Sequence, residues 1–146
     1  MNGRLFGRLL TWYPPYWGTG ISVRMASDYS AAEVRMALRF YNRNYFGTHF
    51  GGSLYAMVDP VYVLMLANRL GGDYSVWDQS AVIEFLRPGR GTVTARFEVG
   101  DDRLEEVEHA TSLGARYSPV WPVEVRDADG EVVARVAKTL YIRQKA

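Results

Sequence analysis

The chain has no cysteine. That excludes a disulfide framework, a thiol nucleophile and thiolate-bound metal, and it suits a reducing compartment such as the cytoplasm. No metal site is expected. A large excess of charge is also missing. The net charge is +1, so no strong overall field attracts nucleic acid. No segment reaches the roughly 18 consecutive apolar residues of a membrane span. Met1 to Tyr13 lacks a sustained apolar region and a small-residue cleavage site, so no secretory signal is expected. Internal repeats, low-complexity tracts and linkers are absent as well.

What remains is a globular composition. The 146 residues fit one domain with a real core, spanning 1–146. Four Trp and ten Tyr suit a pocket or a large subunit interface. Leu5, Phe6, Leu9 and Leu10 recur on one helical face, which predicts a helix over about 2–13 packed on the body of the protein. Its other reading is an interfacial membrane anchor, for which Arg4 and Arg8 give only a thin basic face. Pro14-Pro15 ends this helix.

Ile21, Val23 and Met25 alternate with polar residues and predict a strand. Val34, Met36, Leu38 and Phe40 predict a second. Residues 41–50 form a loop rich in Asn and aromatic residues. From Gly52 to Leu70 runs the longest helix candidate, stopped by Gly71-Gly72 and apolar nearly all round, hence buried. Strand-like runs follow at about 74–86, 92–99, 118–126 and 131–142, with a short exposed helix at 101–113. The turns at 87–91 and 127–130 signal two hairpins. Strands and helices do not alternate, so a doubly wound parallel sheet is disfavoured. The fold class is therefore α+β, with an antiparallel sheet of about six strands wrapped around a long central helix.

The most informative segment is Thr48-His49-Phe50-Gly51-Gly52-Ser53-Leu54-Tyr55-Ala56-Met57-Val58-Asp59-Pro60. Glycines at a helix start bring backbone N–H groups close to a ligand. Asp59, two turns on and set among apolar residues, would be partly desolvated and a candidate base or nucleophile. Together they make a workable arrangement for attack on an acyl group.

This segment, with Asn42 and Asn44 before it and Val76-Trp77-Asp78 and Ile83-Glu84-Phe85-Leu86-Arg87-Pro88-Gly89 after it, resembles the hotdog-fold PaaI-like thioesterases. The DUF4442 group of that superfamily matches it best. The resemblance spans most of residues 20–143. It implies a homodimer with paired sheets, often a homotetramer, that hydrolyses acyl-CoA thioesters at subunit interfaces. No cofactor is implied, coenzyme A being part of the substrate. The family's catalytic carboxylate falls on Asp59 and its backbone oxyanion donor on Gly51 or Gly52. One departure stands out: the family's His immediately precedes Gly-Gly, whereas here Phe50 does and His49 lies one earlier.

Each candidate has a plainer role beside the functional one. Asp59-Pro60 is also a helix cap followed by a first-turn proline, so residues 60–70 could be a helix of their own. His49 suits proton transfer or a loop hydrogen bond, while His109 lies on a solvated face. Ser53 is outside any G-x-S-x-G elbow and would donate to a substrate carbonyl or cap the helix. Asn42 and Asn44 would bond the loop backbone or contact the acyl carbonyl or Asp59. Tyr55, Tyr62 and Trp77 would line an acyl pocket or pack the core. Arg87 and Arg90 would hold CoA phosphates or lie idle on the surface. The expected function is a cytoplasmic acyl-CoA thioesterase. The alternatives are a non-catalytic acyl or lipid ligand-binding protein of the same fold, or a hydratase.

Overall fold

The computed structural model describes all of residues 1–146. Two short helices, α1 (Gly3–Thr11) and α2 (Pro14–Trp17), precede strands β1 (Ile21–Met25) and β2 (Ala31–Met36). Helices α3 (Gly51–Ala56) and α4 (Val61–Leu70) follow, then β3 (Tyr74–Phe85), β4 (Val93–Glu98) and α5 (Asp101–Ala110). The chain ends with β5 (Arg116–Tyr117), β6 (Val120–Arg126) and β7 (Val132–Gln144). All strand pairs are antiparallel, in the order β1-β2-β4-β6-β7-β3, with the two-residue β5 also pairing β7. The sheet thus has seven strands rather than six.

One sheet face is apolar because the strands alternate. Val34 and Met36 of β2, Val93, Ala95 and Phe97 of β4, and Ala134, Val136, Leu140 and Ile142 of β7 are all buried. Against them lie Leu54 of α3, Met57 and Val58 of the connecting turn, and Val61, Met65 and Leu66 of α4. Removing each of these Val, Leu, Ile, Phe and Met side chains from water contributes about 1.5–3 kcal/mol.

The central helix is broken rather than continuous. Asp59 N–H still donates to the Tyr55 carbonyl, but Pro60 has no N–H, and α4 starts afresh at Val61. The break is the one expected of a proline-led helix over 60–70. Pro60 itself holds the N-cap place with no side-chain cap bond, so Asp59 does not cap α4.

Two expectations for the sheet are corrected. The 127–130 turn closes a hairpin between β6 and β7, but the 87–91 turn does not close one. β3 pairs only with β7, and β4 pairs with β2 and β6. The intervening turn is bonded elsewhere: the Gly89 carbonyl accepts from His49 N–H, and the Gly91 carbonyl from Leu38 N–H. The second strand stops at Met36, not Phe40. Asn42 terminates it by accepting from Arg39 N–H at 2.7 Å and donating to the Ala37 carbonyl at 2.8 Å.

The N-terminal helix packs on β1 through its glycines. A Cβ at Gly3 would lie 2.0 Å from the Ala26 carbonyl oxygen, and one at Gly7 would lie 3.1 Å from Met25 Cβ. Thr11 Oγ1 accepts from Val23 N–H at 2.9 Å, so α1 also covers the free edge of β1. Gly7→Leu is expected to lift α1 from β1 and to destabilise the protein by about 1–3 kcal/mol. Thermal unfolding and faster hydrogen exchange at the Val23 amide would register this.

Candidate functional site

The loop after β2 is organised by Asn44. Its Oδ1 accepts from Phe46 N–H at 3.0 Å and Thr48 N–H at 3.1 Å, and its Nδ2 donates to Thr48 Oγ1 at 2.9 Å. This places His49 against the 87–91 turn. His49 is buried, and its Nε2 lies 2.7 Å from the Gly91 carbonyl oxygen, to which it donates, leaving Nδ1 without a partner. Burial lowers the imidazole below its ordinary value, with the Gly91 bond opposing.

Immediately after it, α3 begins. Phe50 at the N-cap supplies no side-chain bond. The first N–H groups of a helix have no intrahelical partner, and no other group of the chain bonds Gly51 or Gly52 N–H. A side chain here would crowd the flanking aromatic rings: a Cβ at Gly51 would lie 3.1 Å from the Phe85 ring, and one at Gly52 2.7 Å from the Phe50 ring. Asn44, His49, Gly51, Phe85, Arg87 and Arg90 line a cleft of about 510 Å³.

Further along the helix lies a second cluster. Asp59 Oδ1 accepts from Tyr55 Oη at 2.8 Å and from Lys138 Nζ at 3.2 Å, and Lys138 Nζ also donates to the Asp59 carbonyl at 2.8 Å. No group of the chain bonds Asp59 Oδ2. Lys138 comes from the inner face of β7 and has no exposure. Its ammonium is 2.9 Å from Asp78 Oδ1, an ion pair not aligned as a hydrogen bond. Gln79 is the extra residue of a bulge between Asp78 and Ser80. The bulge leaves Val76 and Asp78 facing inward before it, and Ala81, Ile83 and Phe85 after it.

Burial works to lower the Lys138 ammonium, but Asp78 first, then Tyr55 and Asp59, hold it above its usual range. Burial pushes the Asp78 carboxyl up, with Lys138 opposing. Burial likewise raises the Tyr55 phenol, and its bond to Asp59 adds to this. Asp59 is the more open carboxylate, with 48% of its side chain exposed against 23% for Asp78. The apolar surroundings expected of Asp59 are therefore replaced by an ion pair and a phenol. Nowhere do three His, Asp or Glu side chains converge as a metal site would require.

The expected residues thus divide. Asn44, His49, Gly51, Arg87 and Arg90 share the cleft, and Tyr55 and Asp59 share the ionic cluster. Asn42 and Asn44 are both spent on the loop backbone. Ser53 Oγ bonds nothing in the chain. Tyr62 is core: its hydroxyl donates to the Pro122 carbonyl and its ring packs on Phe97 and Trp121. Trp77 stacks on Tyr141 at 3.8 Å on the outer sheet face, opposite Asp78. Arg87 pairs with Glu131 at 3.4 Å. Lys138 and Asp78 as a pair were not anticipated. Their signal is phase: Lys138 falls in step with Ala134, Val136, Leu140 and Ile142, so a charge stands where the alternation demands an apolar side chain.

A family model described as a domain of unknown function, DUF4442, matches residues 3–142. Among curated proteins, none matches the sequence significantly. Solved structures share the fold. A Pseudomonas aeruginosa protein of unknown function, described as a probable thioesterase, superposes with a TM-score of 0.79 at 20% identity, covering 96% of this chain and 95% of its own. A Haemophilus influenzae thioesterase gives 0.69 at 19% identity, covering 94% and 87%. The E. coli PaaI protein of the phenylacetic acid degradation operon gives 0.64 at 17% identity, covering 98% and 94%.

The His49 geometry makes a pH prediction. Its folded value is depressed, so the unfolded chain takes up the proton first as pH falls. The stability that neutral His49 contributes is whole above the ordinary imidazole value and drains as pH falls below it, toward the folded value. The Tm gap between wild type and His49→Gln is therefore expected to narrow from about pH 7.5 to about pH 5.5.

Proposed function

The chain belongs to the DUF4442 family, and from that premise we propose that it is a thioesterase acting on acyl-CoA, with Asp59 as its carboxylate. The observation that carries this reading is the asymmetry of Asp59. Tyr55 and Lys138 both hold Oδ1, while Oδ2 is left for a water molecule or a carbonyl carbon. Asp59 takes a proton from water, and the resulting hydroxide adds to the thioester carbonyl. Backbone N–H groups of Gly51 and Gly52 receive the oxyanion. As the tetrahedral intermediate collapses, the C–S bond breaks and the thiolate recovers the proton from Asp59. Direct attack by Oδ2 is the same arrangement used covalently.

Lys138 and Asp78 divide the labour of charge. The cluster holds two carboxylates and one ammonium, an excess of one negative charge. Asp78 is the principal counter-ion of Lys138, which leaves the charge of the more exposed Asp59 for the reaction. His49 is spent on the Gly91 carbonyl and shapes the cleft rather than carrying protons.

One chain does not complete this site. Eight residues of helix at about 1.5 Å per residue put Gly51 roughly 12 Å from Asp59, too far for one carbonyl group. A second copy would supply the missing half. β3 is the open edge strand of the sheet, with Trp77, Val82 and Phe85 exposed, and pairing two such edges is the natural contact. Arg87 and Arg90 at the cleft rim would receive CoA phosphates.

Thiol release from short, long and aromatic acyl-CoAs tests the proposal. Asp59→Asn is expected to lower kcat/KM by about 10²–10⁴, and undiminished turnover in this variant would refute it. Asp78→Asn is expected to lower kcat with little change in KM, since Asp78 meets no substrate and its loss leaves Lys138 to Asp59 alone. Light scattering should give at least twice the 16.5 kDa chain mass. A folded protein that binds acyl ligands and turns over none of the panel is instead a non-catalytic binder.

A further inference from the structure

Helix α1 is turned the unusual way round. It meets β1 through Gly3 and Gly7, with Phe6 and Leu10 half-buried beside them. Its larger apolar side chains therefore point outward. Leu5, Leu9 and Trp12, spaced i, i+4, i+7, are 50%, 51% and 70% exposed, and Met1, Tyr13 and Trp17, close to them in the chain, are exposed as well. Isolated exposed apolar residues need no explanation, but a contiguous helical stripe does. Tyr13 also meets the core, edge-on to the buried Tyr16 at 6.1 Å, while the other five stand outside the buried cluster.

The charged side chains that α1 itself carries have one sign, although Asp28 lies in the turn that meets its first residues. Arg4 and Arg8, one turn apart, flank it, and neither forms an ion pair within the chain. No acidic residue occurs before Asp28. We propose that this face of α1 and α2 docks on an anionic phospholipid surface. Leu5, Leu9 and Trp12 would enter the boundary of the acyl chains, Trp17 and Tyr13 would lie at headgroup depth, and Arg4 and Arg8 would meet lipid phosphates. A second copy of the chain fits less well. A two-fold contact sets the same patch against itself, crowding the arginines of two helices that carry no carboxylate of their own. The face also lies at the β1 end of the sheet, away from the open β3 edge. The inference does not depend on the thioesterase reading.

The test is sedimentation of the full chain with vesicles of phosphatidylcholine, alone or with about a third phosphatidylglycerol. The wild type is expected to sediment with the anionic vesicles and to be released by salt. Arg4→Glu with Arg8→Glu, and separately Leu5→Glu with Leu9→Glu, should each weaken binding about tenfold or more. Both variants should keep the wild-type Tm, because the altered side chains face away from the core. Brominated lipid should quench wild-type fluorescence and much less that of Trp12→Phe with Trp17→Phe. Failure of the wild type to bind anionic vesicles would overturn the proposal. So would a fall in solution mass in Leu5→Glu with Leu9→Glu, which would make the face a contact between copies.

Discussion

An ammonium group with no exposure on the inner face of a sheet has to be given anionic company, because an unpaired buried charge is prohibitively costly. Lys138 is one of only two lysines in the chain, and much of the surrounding architecture serves it. The bulge at Gln79 turns Asp78 inward. The break at Pro60 brings both the side chain and the carbonyl of Asp59 within its reach. Tyr55, one turn earlier, closes the group from the helix side. Well-packed apolar residues in place of a buried ion pair often cost nothing in stability, so stability alone does not call for this cluster.

The strands were legible because their alternation is clean. Val93, Ala95, Phe97 and Val99 announce β4, and Asp127-Ala128-Asp129-Gly130 announces the β6–β7 hairpin. The pairing of β3 was not legible. Arg87-Pro88-Gly89-Arg90-Gly91 breaks a strand as strongly as any hairpin turn, and local chemistry does not say whether the chain doubles back or crosses to another strand. Only the long-range bonds from His49 and Leu38 settle it. The early end of β2 escaped for the same reason, since the apolar phase continues to Phe40 and the side chain that stops it belongs to Asn42.

The site was legible in its parts and not in its grouping. Asp59 and the two glycines stand out by spacing, and the loop role of Asn42 and Asn44 follows from their residue type. Spacing along the helix separates Gly51 from Asp59 and sets Tyr55 one turn before it, but the arrival of Lys138 and Asp78 at Asp59 and of the 87–91 turn at His49 depends on tertiary distances that no spacing encodes. Tyr62 and Trp77 illustrate the limit: aromatic residues look alike in sequence whether they pack a core, as Tyr62 does, or stack on the outer face, as Trp77 does. Lys138 is marked only by phase: its residue type suits an exposed strand position, while its place between Val136 and Leu140 is a buried one.

A sheet has two edges, and here they are treated differently. The β1 edge is roofed by α1, with Thr11 occupying the Val23 amide, while β3 along its full length presents unsatisfied backbone to the outside. A strand-by-strand stack needs both edges of every unit and would grow without end. With one edge sealed, joining through the other uses up all the valence there is. The glycines of α1 thus act as a terminator: they leave one edge at which backbone pairing between copies could take place, so such pairing would close at two and offer no template for a fibre.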